Sequence, residues 1–167
     1  MLDYTKILID GGVLAVLFSA AVLAIGIFKP RAFLDASNVP ADILAAVPPR
    51  TAEEARQGKL LAAPLFVLML AIPAWSAVTF ARQAGAGYWP LFAHTYLVLL
   101  VPFLADLLVI DWLILNTITP KFFVYPGTEG FAGYKDYGFH LRAHLRGLVL
   151  LVALAAPVAG AALVFVY

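Results

Sequence analysis

Apolar residues gather into four long runs along the chain, separated by two polar segments and one short turn. Ile7 to Phe28 is 22 residues with Asp10 as its only charge, and Leu60 to Ala81 is 22 with none. Trp89 to Thr119 is longer and is interrupted only by Asp106 and Asp111, while Gly147 to Tyr167 is 21 uncharged residues. Crossing the hydrocarbon of a bilayer as a helix takes about 20 mostly apolar residues, so each run is long enough. None shows the sustained polar–apolar alternation that a membrane strand requires. The pattern predicts an all-α fold: one polytopic transmembrane four-helix bundle over residues 1–167, with loops at 29–59 and 120–146. The first run has no basic segment ahead of it (Met1-Leu2-Asp3-Tyr4 carries an acid) and no convincing small-residue cleavage site after it, and so is expected to be retained as a span.

Lysine and arginine fix the expected orientation. Five lie between Lys29 and Lys59 and four between Pro120 and Arg146, leaving only Lys6 and Arg82 for the other side. The positive-inside rule then puts both long loops in the cytoplasm and both the N- and C-termini outside. Tyr4, Tyr88, Trp89 and Tyr167 fall where an outer aromatic belt would lie.

The loops carry local signals of their own. Thr51-Ala52-Glu53-Glu54 is a capping box that starts the second long helix near Ala52, ahead of the membrane. Pro48-Pro49 cannot continue an earlier helix, and Pro64 and Pro73 are expected to kink the one that follows. Pro40 to Val47 reads as a short helix with Ile43, Leu44 and Val47 on one face, resting on lipid headgroups or on the bundle. The stretch Thr119 to His140 holds Phe122, Phe123, Tyr125, Phe131, Tyr134 and Tyr137 among several glycines, which predicts an ordered, turn-rich cap and not a flexible linker. Small residues at four-residue spacing (Gly11, Ala15 and Ser19; Ala155 and Ala159) suit close helix packing within the chain or a homo-oligomer seam.

Composition narrows the chemistry. With 63% hydrophobic and 13% charged residues and a mean hydropathy of +0.94, the chain is far more apolar than a soluble domain. The absence of cysteine excludes disulfides, thiolate metal sites and a cysteine nucleophile. A net charge of +1 gives no reason to expect a nucleic-acid partner.

Polar groups within spans are costly and point to sites. Asp106 lies about 25 Å along the third helix from Trp89 at about 1.5 Å per residue, near the inner boundary, with Asp111 beyond it. In an α-helix five residues leave these two about 140° apart, which predicts separate faces and no carboxylate pair from this helix alone. Asn116 and Thr117 add polarity further on. At the start of the fourth span His140 and His144 share one face at i, i+4 spacing and can chelate a divalent metal, with carboxylates completing the shell. Arg142 and Arg146 share another face and can instead pair with the aspartates. Asp106, Asp111, Asn116, Arg142 and Arg146 are therefore the candidate ligand-binding residues, with His140 and His144 as candidate metal ligands. Asp10 and His94 fall near the outer end, where they can meet as a pair. Bis-histidine haem ligation is not expected, because His94 lies at the face opposite His140 and His144.

The stretches Val39-Pro40-Ala41-Asp42-Ile43, Val47-Pro48-Pro49-Arg50-Thr51, Asp111-Trp112, Thr119-Pro120-Lys121-Phe122, Pro126-Gly127-Thr128-Glu129-Gly130 and Gly133-Tyr134-Lys135-Asp136-Tyr137 cover about a quarter of the chain. In them the sequence resembles a group of small, uncharacterised bacterial four-span membrane proteins. The resemblance implies a multi-pass protein of the bacterial inner membrane; it brings no activity and no catalytic residues. Lipoprotein signal peptidases also have four spans and two essential aspartates. Their Asn-x-Gly-Ala run is missing here and the expected orientation is reversed, so their chemistry is not carried over.

The leading functional expectation is a non-enzymatic module that binds a lipid headgroup, small ligand or partner protein at the cytoplasmic face. The alternative is an intramembrane metal- or carboxylate-assisted hydrolase or transferase acting on a lipid-like substrate. A transporter or accessory subunit of a larger membrane complex ranks third, since four helices enclose little pore and no inverted repeat is evident. The orientation can be checked directly: a cysteine at Gly130 should resist an impermeant maleimide in intact cells and one at Gly85 should react. The reverse pattern would invert the topology.

Overall fold

The computed structural model describes all 167 residues. It is 81% helix with no strands, and four of its helices are long and apolar enough to cross a membrane. Helix α1 runs Tyr4–Phe28, α2 Ala41–Ala46, α3 Ala52–Ala84, α4 Tyr88–Ala105 and α5 Tyr137–Val166. Beyond Ala105 the third long helix continues without a break as a π-helix over Asp106–Ile118, so the whole element spans Tyr88–Ile118.

Helix ends are set by the expected local chemistry. Asp3 caps α1 by accepting from the Lys6 amide. Thr51 and Glu54 form the reciprocal capping box at the start of α3, which satisfies two of the four amides that any helix N-terminus leaves unpaired. α3 runs through Pro64 and Pro73 and ends at Gly85, whose φ of 57° is a left-handed C-cap.

Helix α4 packs against α1, α3 and α5, and α3 also contacts α1 and α5. Small residues make the close approaches. Gly11 faces Val98 and Val101 of α4, where a Cβ would come within 3.0 Å of all three nearest atoms. Ala77 and Ala81 of α3 meet Ala159 and Ala162 of α5 in a cluster completed by Phe80, Ala86 and Leu91. Ala155 joins Leu99 and Leu151. Gly11, Ala15, Ala155 and Ala159 are thus all buried within the chain. Large apolar side chains such as Phe66, Trp75, Val149, Val164 and Phe165 point away from the bundle.

The two long loops join into one cap. Leu34, Val39, Ile43 and Val47 from the first form a small core with Tyr125, Phe131 and Tyr134 from the second packed on it. Helix α2 therefore buries Ile43 against the other loop, so of the two expected rests, on lipid headgroups or on the bundle, its apolar face takes a contact within the protein. Tyr125 donates to the Pro30 carbonyl at 3.0 Å, and burial pushes its phenol up to about 12, so it stays a donor. The Tyr134 hydroxyl accepts from the Tyr125 amide at 2.9 Å and lies 2.8 Å from the Thr128 hydroxyl. Gly133 donates its amide to Asp42 at 2.9 Å, in a gap where any Cβ would strike Asp42 and Pro40. Arg31 reaches Glu54 and the carbonyls of Pro48 and Pro49, while Arg50 donates to the Ala32 carbonyl.

Not every aromatic of the second loop is inside. Phe123, Tyr125, Phe131 and Tyr134 are half-buried, but Phe122 and Tyr137 are exposed. Phe123 covers Gly26 near the end of α1, and Phe122 lies beside it on a turn at the level where the apolar run ends. Tyr137 packs edge-on against Trp112 and meets the Thr117 hydroxyl at 2.9 Å.

The cap is fastened to the π-helix by its C-terminus. Lys135 donates to the carbonyls of Asn116 and Thr117 and to the Thr119 hydroxyl, at 2.7, 3.1 and 2.7 Å. A cation at a helix C-terminus meets both the unpaired carbonyls and the negative end of the dipole. Lys135→Met should lower stability by about 1.5 kcal/mol, the scale of a charged hydrogen bond. Thermal unfolding in detergent would register this as a lower midpoint; an unchanged midpoint would show that the lysine does not fasten the cap.

Candidate functional site

The π-helix decides which side chains meet. Its hydrogen bonds run from residue i to i+5, as the Thr119 amide shows by donating to the Ile114 carbonyl at 2.8 Å. A turn then takes about 4.4 residues, and five residues leave a side chain only about 50° from where it began. Asp106, Asp111 and Asn116, spaced by five, form one row on the inward side. The burial pattern changes with the winding. Buried positions in α4 recur at helical spacing (Leu91, His94 and Thr95, Val98 and Leu99, Pro102), whereas from the end of α4 onward exposed positions recur at the wider spacing of Leu104, Leu108 and Val109, Leu113, and Thr117 and Ile118. The expectation that Asp106 and Asp111 occupy separate faces is therefore corrected; it assumed 100° per residue, and this segment is wound more loosely.

Helix α5 brings two histidines to that row. The His144 ring lies with Nε2 3.6 Å from Asp106 Oδ2 and Nδ1 3.7 Å from Asp111 Oδ2. His140 Nδ1 is 3.1 Å from Asp111 Oδ2. Both rings point inward because i, i+4 spacing keeps them on one face. One ligand atom from each of Asp106, Asp111 and His144 falls within 4.8 Å of the other two, a span that can surround a single ion. His140 touches this group through Asp111 and does not belong to the three-residue set.

Arg142 and Arg146 do not enter. Each is two residues, about 200° of α-helix, from the adjacent histidine and so points the opposite way. Arg142 pairs with Asp136 at 3.3 Å and Arg146 donates to the Arg142 carbonyl, both exposed. The expected pairing of these arginines with Asp106 and Asp111 is replaced by histidine contacts.

Asn116 closes the row at the cap. Its side chain is buried, and Nδ2 donates to the Tyr134 carbonyl at 2.9 Å, while Oδ1 has no hydrogen-bond partner. The row and the histidines line a cavity of about 290 Å³. Phe18 and Val22 of α1 and Phe33 form its apolar wall, and Tyr125 and Tyr134 of the cap close its polar end. The five-residue recurrence Asp-x-x-x-x-Asp-x-x-x-x-Asn is present in the sequence, but at α-helical winding it reads as separate faces and so pointed away from this row. The contributions of Tyr125 and Tyr134 were not visible there, because they depend on how the cap folds back.

A second polar group lies toward the other end of α4. Ser76 Oγ donates to Asp10 Oδ2 at 2.6 Å and is 2.8 Å from His94 Nε2, and Lys6 pairs with Asp10 at 2.8 Å. Asp10 and His94 thus meet through Ser76, a residue that nothing in the sequence singled out. His94 is fully buried and stacks on Phe80 with ring centroids 4.3 Å apart. The serine sits between carboxylate and imidazole, whereas a hydrolytic triad needs the imidazole between the other two. No cavity of comparable definition opens onto this group.

Comparison with known proteins finds no matching family model, no matching curated protein and no matching solved structure.

The outer group makes a stability prediction. Ser76→Ala strands the buried His94 Nε2 and should cost about 1–3 kcal/mol. Replacing His94 by Phe as well removes the stranded atom and keeps a ring against Phe80, so the double variant should recover part of the loss. Chemical or thermal unfolding of the two variants side by side would measure this; a double variant no better than Ser76→Ala would contradict it.

Proposed function

We propose that this protein is a multi-pass protein of the bacterial inner membrane that binds a lipid-like amphiphile through its polar headgroup, in the cavity between the π-helix, α1 and the cap. The nine of eleven Lys and Arg residues in the two long segments support a cytoplasmic position for the cap.

One observation carries the reading: a single cavity of about 290 Å³ has a polar side built from Asp106, Asp111, Asn116, His140 and His144 and an apolar wall from Phe18 and Val22. A wholly polar solute would leave the apolar wall uncovered, and a hydrocarbon would leave the carboxylates without partners. A headgroup with an attached chain satisfies both. Since Arg142 and Arg146 lie outside the cavity, direct recognition of an anionic group by arginine has no support. The polar row instead suits a headgroup that presents hydroxyl or amine donors to carboxylate and amide oxygens. The cap holds the polar side away from bulk water, where each hydrogen bond counts for more.

Native mass spectrometry of the protein released from bacterial membranes tests this. The wild-type chain should retain an amphiphile. Ala143→Phe, which places a ring in the cavity, should lose it, and Asn116→Leu should weaken retention while keeping the volume. A wild-type chain that retains nothing, or an Ala143→Phe variant that retains as much as wild type, would refute the proposal.

A further inference from the structure

The polar row has no permanent cation beside it. Asp106 and Asp111 bring two carboxylates into the span, and neither has a lysine or arginine within ion-pairing distance; their only charged-group contacts are His140 and His144. Paired carboxylates at a membrane boundary are stable when they are protonated or when something positive neutralises them.

The geometry of His144 shows where that charge fits. Its Nδ1 lies 3.1 Å from the His140 carbonyl oxygen. A carbonyl only accepts, so Nδ1 carries a proton, and Nε2 is the nitrogen left free for a second proton or a metal ion. Nε2 is buried and makes no hydrogen bond, yet it faces Asp106 Oδ2 at 3.6 Å. With an electron-pair donor on each side, that distance is a gap that either a proton or a metal cation closes. A ring nitrogen fixed by a backbone carbonyl, with the other nitrogen left free, is how proteins prepare a histidine for a metal.

We propose that Asp106, Asp111 and His144 bind one divalent first-row transition cation, of the Zn²⁺ or Mn²⁺ class, with its remaining coordination positions open to the cavity. Ligands about 2.0–2.2 Å from an ion stand about 3.3–3.6 Å apart at a tetrahedral edge and about 4.2 Å apart across an octahedron. The 3.6 Å separation of His144 Nε2 and Asp106 Oδ2 matches a tetrahedral edge, and the whole set, within 4.8 Å, has to contract slightly to enclose an ion. A mixed imidazole and carboxylate set favours Zn²⁺ or Mn²⁺ over Mg²⁺, which prefers oxygen alone. The ion cancels the two carboxylate charges, so the filled site is neutral. His140, 3.1 Å from Asp111 Oδ2, is a positioning residue that holds this carboxylate in place.

A second, independent observation points to a ligand in the same cavity. Asn116 is 1% exposed and lines the same cavity, and its Oδ1 is a buried acceptor without a partner. An acceptor left bare in the lining of a cavity calls for a donor or cation there, not for more protein. The inference rests on the cavity being a ligand site; the ion is the part of that ligand which the carboxylates select.

The full chain in mild detergent, stripped with EDTA, desalted and equilibrated with Zn²⁺ or Mn²⁺, should carry about one ion per chain by elemental analysis, as expected for one three-ligand site. Asp106→Asn and His144→Gln should each abolish stoichiometric binding, and His140→Gln should weaken it about 10–100-fold. Glu53→Gln, on the surface of α3, should bind as wild type does. Co²⁺ added to the wild-type chain should give visible absorption bands that His144→Gln lacks, which keeps the test valid if Asp106→Asn fails to fold. A wild-type chain that binds neither ion, or a folded His144→Gln that still binds one, overturns the site. An amphiphile retained by a chain that binds no ion overturns the metal site and leaves the headgroup reading standing. An ion bound by a chain that retains no amphiphile supports the metal site and removes the headgroup reading.

Discussion

Two carboxylates on one apolar helix have to be turned away from lipid together, and the backbone of Asp106–Ile118 is wound to do it. In an α-helix, residues five apart diverge, so one of Asp106 and Asp111 would leave the inward face. The i to i+5 winding returns both, with Asn116, to the same side. The rest of the structure follows from that row: α5 supplies two histidines to it, α1 supplies the apolar wall across from it, and the cap is fastened to the end of the helix that carries it.

A π-helix is less favourable than an α-helix, and this one is held by contacts along its length. Lys135 gathers the last carbonyls, and the Asn116 side chain donates to the Tyr134 carbonyl. Trp112 donates its indole N–H to the Tyr137 carbonyl at 3.2 Å. All three attach the π-helix to the segment that leads into α5. The element that positions the histidines and the element that positions the carboxylates are therefore tied together directly, and the distances between them do not depend on a flexible linker.

The two polar groups of the bundle are built on different principles. Around Ser76 every strong donor and acceptor but one, His94 Nδ1, is matched within the protein, which suits a structural pin between α1, α3 and α4. In the row at the cap, His144 Nε2 and Asn116 Oδ1 are left bare beside a cavity. Near-complete satisfaction suits a pin; two unsatisfied atoms on residues that line one cavity are what the proposed ligand would satisfy.

The four long apolar helices, the capping box at Thr51 and the identity of the costly polar residues followed from the sequence by itself, because span length, capping and the expense of buried charge act locally and leave local patterns. The partnership of Asp106 with His144, the exclusion of Arg142 and Arg146, and the bridge through Ser76 did not. Each depends on how far the backbone rotates between two residues or on which helix lies opposite. The sequence shows a spacing of five between Asp106, Asp111 and Asn116, but spacing becomes direction only once the winding of the helix is known, and that winding is held by contacts with the cap. Tertiary structure decided the site because the same residues on a regular α-helix would point to different neighbours.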